Sequence, residues 1–349
     1  MSSPFSFTLP AELSAQEPPE RRGLARDQVR LLVLDRASGQ VEHARFDSLG
    51  RFLREGDLLV FNSSRTLPAS LEACGSGQRP CIEVRLAQHL PDDSWLALLL
   101  CKAGDPFGCG LRPGMQLNFG ADLTGEVLDR DARIPRLWKM RFSKIGTPFI
   151  DLIYRIGQPL RYEYISAPWN LDYYQTVYAK EPGSAEMPSA GRAFSWKLLF
   201  ELRKLGIDFA YLILHTGLSS YLDDELDRAH PASEEEYFLS DLAAGKVNQT
   251  CERGGRVIAV GTTVVRALES IAQEDGSVRR AHGYTRLHIG PRHQLKAVNG
   301  LVTGLHEPEA SHLDLLSAFL SPEKIHTAYA EAIERRYLWH EFGDLNLII

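Results

Sequence analysis

In the stretch Gly255-Arg256-Val257-Ile258-Ala259-Val260-Gly261-Thr262-Thr263-Val264-Val265-Arg266-Ala267-Leu268-Glu269-Ser270, the hydrophobic period changes at Gly261. Val257 to Val260 is short and wholly apolar, the pattern of a strand covered on both faces. Beyond Gly261, Val264, Leu268 and Ile271 recur at helical spacing, with Arg266 and Glu269 off that stripe. Gly261-Thr262-Thr263 is therefore expected as a tight strand-to-helix turn at a sheet's carboxyl edge. A helix start there turns unpaired N–H groups outward, and a glycine beside two hydroxyls suits a phosphate or a carboxylate. The alternative is an ordinary N-cap, by Thr262 or Thr263, on a packing helix.

Similar signals lie on either side. Leu58 to Phe61 is a second apolar run, ending in Asn62-Ser63-Ser64-Arg65 and then Pro68. Open α/β sheets place their ligands at such carboxyl ends. Arg65 there either serves an anion or pairs with a surface carboxylate. Val29 to Asp35 is a strand, with Val41 to Phe46 pairing back across Ser38-Gly39. Phe209 to Leu214 is another, ending in His215-Thr216-Gly217, and Leu287 to Ile289 is a further strand. Helices are expected over Asp47–Leu53, over Trp196–Leu205 with Gly206 as its C′ residue, over Glu234–Lys246, and after Ser321 with Pro322 at N1.

Residues 73–150 read differently. Short strand-like pieces (Ile82–Leu86, Trp95–Leu100, Gly125–Leu128, Leu137–Phe142) are separated by Gly and Pro turns, the pattern of a small antiparallel barrel. The expected architecture is thus a discontinuous α/β catalytic domain (1–72 and 151–349) with a β-barrel domain (73–150) inserted into it. A chain of 349 residues is long for one core, in keeping with two domains.

Composition narrows the function. With 44% hydrophobic and 24% charged residues the chain is an ordinary soluble type, and no run is long enough to cross a bilayer. No export signal is visible at the N-terminus, so a cytoplasmic location is expected. The five cysteines form no C-x-x-C pair and are odd in number, which argues against a disulfide framework or a zinc ribbon. The histidine pairs His288/His293 and His306/His312 have no convincing third partner, so no metal site is expected. A net charge of −6 excludes a general polyanion binder. Asp129 to Ile145 is the local exception: six Lys/Arg against two Asp, with Trp138 and Phe142 interleaved. Such a run either holds nucleic acid or forms a solvated strand face.

Several blocks now carry a resemblance. GDLLVFNSSRTLPASL, DYYQTVYA, GSAEMPSAGRAFSW, GGRVIAVGTTVVRALES, LVTGLHEP and AYAEAIERRY…FGD are similar, in the same order from about Leu9 to Ile348, to the QueA family of S-adenosylmethionine:tRNA ribosyltransferase-isomerases. The resemblance implies an α/β domain interrupted by a barrel. It also implies a chemistry, in which the ribosyl part of S-adenosylmethionine is moved onto the aminomethyl group of a 7-deazaguanine in a tRNA anticodon. Adenine and methionine leave, and the product is epoxyqueuosine. The sulfonium acidifies the neighbouring C5′ hydrogens, so the site needs a base, an acid for departing adenine, and a place for the methionine carboxylate. S-adenosylmethionine is then a co-substrate, tRNA the partner, and neither a metal nor a membrane is involved; a monomer is expected.

The resemblance assigns Arg65, Gln175, Tyr178, Gly261, Thr262, Thr263 and Arg266 to substrate binding, and His215, His230 and His306 to catalysis. This chain departs from the family's pattern in its polar loops. Asn62-Ser63-Ser64-Arg65 stands for Asn-Asp-Thr-Arg, and Ser70 replaces an arginine in Pro-Ala-Arg-Leu. Ser189-Ala190-Gly191-Arg192-Ala193-Phe194 lacks the histidine of Thr-Ala-Gly-Leu-His-Phe, and Ser233 replaces the second histidine after His230. Gly304-Leu305-His306-Glu307-Pro308 stands for Asn-Phe-His-Leu-Pro, and His215-Thr216-Gly217-Leu218-Ser219-Ser220-Tyr221 for His-Val-Gly-Ala-Gly-Thr-Phe. Two other readings follow from those changes: a paralogue that uses S-adenosylmethionine on a small-molecule acceptor, or a catalytically silent protein that binds nucleic acid or a partner.

Overall fold

Leu58 and Val60 point to one side of their strand and Leu59 and Phe61 to the other, and all four are wholly buried. A strand so patterned needs cover on both faces. The computed structural model, which describes residues 7–75, 81–101, 110–162, 164–165, 167–228, 234–308 and 311–349, supplies it. The first strands are β1 (Arg30–Leu34), β2 (Val41–Arg45), β3 (Leu58–Asn62) and β4 (Ser64–Thr66). Next come β5 (Ser70–Gly75), β6 (Ile82–His89), β7 (Trp95–Cys101), β8 (Gln116–Gly120), β9 (Leu123–Arg130) and β10 (Leu137–Phe142). The helices α1 (Gly146–Ile156), α2 (Ser189–Arg192) and α3 (Trp196–Lys204) flank β11 (Glu181–Ser184). After β12 (Asp208–Leu214) and α4 (Asp224–Arg228) follow β13 (Glu235–Leu239), α5 (Asp241–Glu252), β14 (Val257–Val260) and α6 (Thr262–Ile271). The chain closes with β15 (Ala281–Thr285), β16 (Gly300–Gly304), α7 (Ser311–Leu316), α8 (Pro322–Glu334) and β17 (Leu345–Ile348).

Nine strands form one sheet in the order β15-β13-β12-β3-β14-β16-β17-β1-β2. Its centre, β12-β3-β14-β16, is parallel, so the carboxyl ends of four strands open on one edge. Leu58, Val60, Val257 and Ala259 face a core shared with α5, α6 and α8. Leu59, Phe61, Ile258 and Val260 face the other, shared with α2 and α3. Asp57 fixes the register of β3 against β14 from below: its carboxylate accepts from Arg256 Nε at 3.0 Å and Nη2 at 2.5 Å.

The chain leaves this sheet after β4 and enters a closed barrel, β10-β7-β6-β5-β8-β9. Its interior is filled by alternate residues such as Val84, Leu86, Leu98, Val127 and Met140. Its first strand begins at Ser70, and Phe149 and Ile153 of α1 pack onto the same core. The chain returns along β11, which pairs in parallel with β4, so exit and re-entry lie side by side. The α/β sheet with an attached antiparallel barrel is the architecture expected from the turn spacing.

Three local expectations are corrected. Glu235–Leu239 is a strand, because β12 and β15 pair with it from both sides, and the helix begins only after Ser240, whose hydroxyl accepts from Ala243 N. Leu287–Ile289 is not a strand: Leu287 O accepts from Arg266 Nε at 3.0 Å, and the edge strand is Ala281–Thr285. Cys101, at the end of β7, is disulfide-bonded. The basic run at β10, expected either to hold nucleic acid or to form a solvated strand face, alternates between the barrel interior and its surface. Trp138 and Phe142 are buried in the barrel, while Lys139 pairs with Asp92, Arg136 with Asp223 and Arg133 with Glu234.

Candidate active site at the carboxyl edge

Where β3 parts from β12, a side chain takes over from the backbone ladder. Asn62 Nδ2 donates to Leu214 O at 2.8 Å, and Leu214 N donates to Asn62 Oδ1 at 3.0 Å. Ser64 N also donates to Asn62 Oδ1, at 3.1 Å. A carboxamide carries its donor and its acceptor on separate atoms, so Asn62 can meet the N–H and C=O of one residue at once and splay two buried strands without leaving either unpaired.

That splay places His215, the residue after β12, beside β4. Its Nδ1 lies 2.8 Å from Ser64 Oγ, which in turn lies 2.6 Å from Ser184 Oγ on β11. Gly183 presses against the ring so closely that a Cβ there would sit 2.4 Å from it. Burial pushes the His215 imidazole below its usual pKa. It is therefore neutral at neutral pH, and a neutral imidazole is a proton acceptor.

Gly261 takes φ 97°, ψ 148°, a conformation reserved for glycine, and is itself the N-cap of α6 with no side-chain cap. The cap is thus neither Thr262 nor Thr263. Thr262 is buried, and Thr263 Oγ1 approaches Asn62 Nδ2 at 3.5 Å, which joins the bend to the end of β3. Arg266, one turn on, ion-pairs with the buried Glu235 of β13.

The other expected residues fall into three groups. Gln175 closes on the backbone of Thr66: Gln175 Nε2 donates to Thr66 O at 2.8 Å and Thr66 N to Gln175 Oε1 at 3.1 Å. Arg65 is exposed on β4 and stacks over the Tyr154 ring at 5.4 Å. Tyr178 packs on Phe61 and Tyr211, its hydroxyl facing Gly191. These stand near the Asn62–His215 junction. His306 makes its contacts elsewhere: its Nε2 bonds Thr303 Oγ1 at 2.8 Å, its ring stacks on His312 at 4.5 Å, and Trp339 Nε1 donates to its carbonyl. Burial pushes His306 well below its usual pKa. His230 lies outside the described residues.

Two groups not expected from the sequence border the same region. Glu186, on the segment between β11 and α2, accepts from Ser219 N at 2.7 Å and Ser219 Oγ at 2.9 Å. Burial raises its carboxyl to about 7. Glu341 is raised to about 7 for the same reason, and its Oε2 is buried without a hydrogen-bond partner among the described residues. Both line a narrow cleft with Tyr162, Tyr174, Met187 and Thr66. A second narrow cleft, bordered by Arg26, Ser189 and Arg192, shares Glu341 as a wall. Glu186 is the lone acid of the loop Gly183–Ser189, but nothing in the sequence pairs it with Glu341. Among the described residues no group of three His, Cys, Asp or Glu is arranged to hold a metal ion.

The family described as "Queuosine biosynthesis protein" matches residues 2–348 of this chain. The chain belongs to that family. It is 39% identical to the S-adenosylmethionine:tRNA ribosyltransferase-isomerase of Carboxydothermus hydrogenoformans, over 99% of this chain and 98% of that one. The protein of the same name from Symbiobacterium thermophilum is 38% identical, over 99% of each. Among solved structures, S-adenosylmethionine tRNA ribosyltransferase from Thermotoga maritima covers 99% of this chain and 100% of its own, at 32% identity and a TM-score of 0.56. Family membership thus spans both the sheet and the barrel. The departures in the polar loops sit on an otherwise continuous family framework.

Proposed function

We propose that this chain transfers and isomerises the ribosyl moiety of S-adenosylmethionine onto 7-aminomethyl-7-deazaguanine in tRNA, giving epoxyqueuosine. One observation carries the reading: the ribosyltransferase-isomerases it resembles match end to end at 35–39% identity, sheet and barrel together. S-adenosylmethionine is a co-substrate, and no resident metal takes part. The protein acts as a cytoplasmic monomer; among the described residues no helix is long and apolar enough to cross a membrane.

The nucleoside docks where the central parallel strands open, against the Gly261-Thr262-Thr263 bend. His215 is the candidate base for a C5′ proton, since burial keeps it neutral and Ser64 orients its ring. Arg65 receives an anionic group of substrate, and Gln175 and Tyr178 shape the wall beside it. Arg266 and Glu235 hold the helix behind the bend. His306 and His230 complete the set of candidate catalytic groups. The α/β body (1–72 and 151–349) carries the chemistry and the inserted barrel (73–150) frames it.

The test is direct. The protein is incubated with S-adenosylmethionine and a tRNA carrying the aminomethyl deazaguanine, and release of adenine and methionine is followed by chromatography. Stoichiometric adenine with conversion of the tRNA nucleoside is expected. No adenine, in an assay where a ribosyltransferase-isomerase relative is active, rejects the reading.

A further inference from the structure

Two partly buried carboxylates border the cleft between β11 and the closing segment of the chain, and the scheme above gives neither a task. Glu186 is held at one oxygen by Ser219 N and Oγ. Glu341 is not held: its Oε2 is buried with no hydrogen-bond partner among the described residues, and the side chain walls both clefts. Neither is in an ion pair among the described residues, and both act on the buried phenol of Tyr162, raising its pKa. Two ionised carboxylates without a cation in a desolvated cleft are mutually unfavourable.

The rest of the lining says which cation fits. Tyr174 and Met187 line the cleft with a ring and a thioether, and the Tyr162 hydroxyl is taken up by its hydrogen bond to Glu186. A primary ammonium carries three N–H donors and needs acceptors for each. A trialkylated sulfonium has none; its charge is spread over C–H surface that packs on rings and thioethers while a carboxylate balances it. Glu186 O accepts from Thr216 Oγ1 at 2.7 Å, so the cleft adjoins the strand end that carries His215.

We propose that Glu341, with Glu186 on the same cleft, forms the subsite that holds the sulfonium of S-adenosylmethionine and selects it over a neutral thioether. This rests on the functional reading above and adds residues to it. The sulfonium offsets one carboxylate charge that a neutral thioether leaves uncompensated, so the intact co-substrate is preferred to its spent forms.

The experiment titrates wild-type protein, Glu341→Gln and Glu186→Gln with S-adenosylmethionine and with S-adenosylhomocysteine, which lacks only the sulfonium methyl and its charge. Wild type is expected to bind S-adenosylmethionine at least tenfold more tightly. Glu341→Gln is expected to lose tenfold or more for S-adenosylmethionine and less than twofold for S-adenosylhomocysteine, with a smaller loss of the same kind in Glu186→Gln. Equal losses for both ligands, or none, overturn the inference and leave the functional reading intact. So does a wild type that binds the two equally, a result that needs no variant to fold. A wild type that binds neither ligand overturns the functional reading and the inference with it.

Discussion

The carboxamide of Asn62 is bonded to both backbone groups of Leu214, the carbonyl at 2.8 Å and the N–H at 3.0 Å. Two neighbouring strands are thereby pinned at the point where they diverge, and His215 and Ser64 are set facing one another. Asn62→Ala leaves a buried N–H and a buried C=O without partners. The expected loss is about 2–4 kcal/mol of unfolding free energy, read from urea denaturation. A loss within experimental scatter would mean that the strands hold their positions without the amide.

Gly261→Ala tests the bend. The nearest side-chain atoms to a new Cβ are at ordinary contact distance, 3.4 Å or more, so crowding contributes little. The cost is backbone: a φ of 97° with ψ 148° is a glycine conformation, and forcing alanine into it costs about 1–3 kcal/mol. Thermal unfolding and S-adenosylmethionine binding are expected to suffer together. A variant as stable as wild type would show that the bend has moved to another conformation.

Arg266 neutralises Glu235, which is nearly buried in β13. Arg266→Met is expected to cost about 3 kcal/mol, because a carboxylate is left uncompensated. The double variant Arg266→Met/Glu235→Met recovers most of that loss. Should the double variant be no better than the single one, the arginine stabilises the fold through something other than this charge.

Arg65 predicts the reverse pattern. It is exposed, and its described contact is the Tyr154 ring, so Arg65→Ala changes stability by less than about 1 kcal/mol. Turnover, in contrast, is expected to drop at least tenfold, through KM for the tRNA or the co-substrate. Undiminished kcat/KM would remove Arg65 from the site.

Stability depends on pH through two opposed sets of groups. Burial raises Glu186 from 4.5 to about 7. Its contribution is complete below pH 4.5 and is lost as pH rises through about 7. Burial lowers His340 from 6.5 to about 4, so its contribution is complete above 6.5 and is lost as pH falls through about 4. Glu186→Gln is expected to flatten the alkaline side of the urea midpoint profile, and His340→Gln the acid side. Variant profiles parallel to wild type would contradict the assignment.

Much of the frame was legible because periodicity is a local signal. The apolar runs before Asn62 and Gly261, the barrel's turn spacing, and Gly206 with φ 79° after α3 all report on nearby chain. Errors arose where distant chain decided the outcome. Glu235–Leu239 looks helical until β12 and β15 pair with it. Trp138 and Phe142 read as interleaved with basic residues, yet alternation sends both into the barrel while Lys139 faces Asp92. Of the site, the glycine bend and His215 were visible, as was Asn62 at its strand end. Glu186 and Glu341 were not, since no pattern in sequence brings those positions to one cleft. Gln175, expected to touch a ligand, also braces the backbone of Thr66, a contact that no sequence pattern announces.

The strand order has a bearing on how the protein is made. β17, the last strand among the described residues, lies between β16 and β1, and among those residues it alone joins β1 and β2 to the rest of the sheet. The barrel, by contrast, draws all six strands from one contiguous stretch. During synthesis the barrel can condense early from its own short-range contacts. β1 and β2, though first off the ribosome, must wait as an unpaired hairpin until residues 345–348 emerge. Nascent chains stalled short of Leu345 therefore carry an open edge on β1, and that edge is where a holdase would bind and where premature aggregation would start.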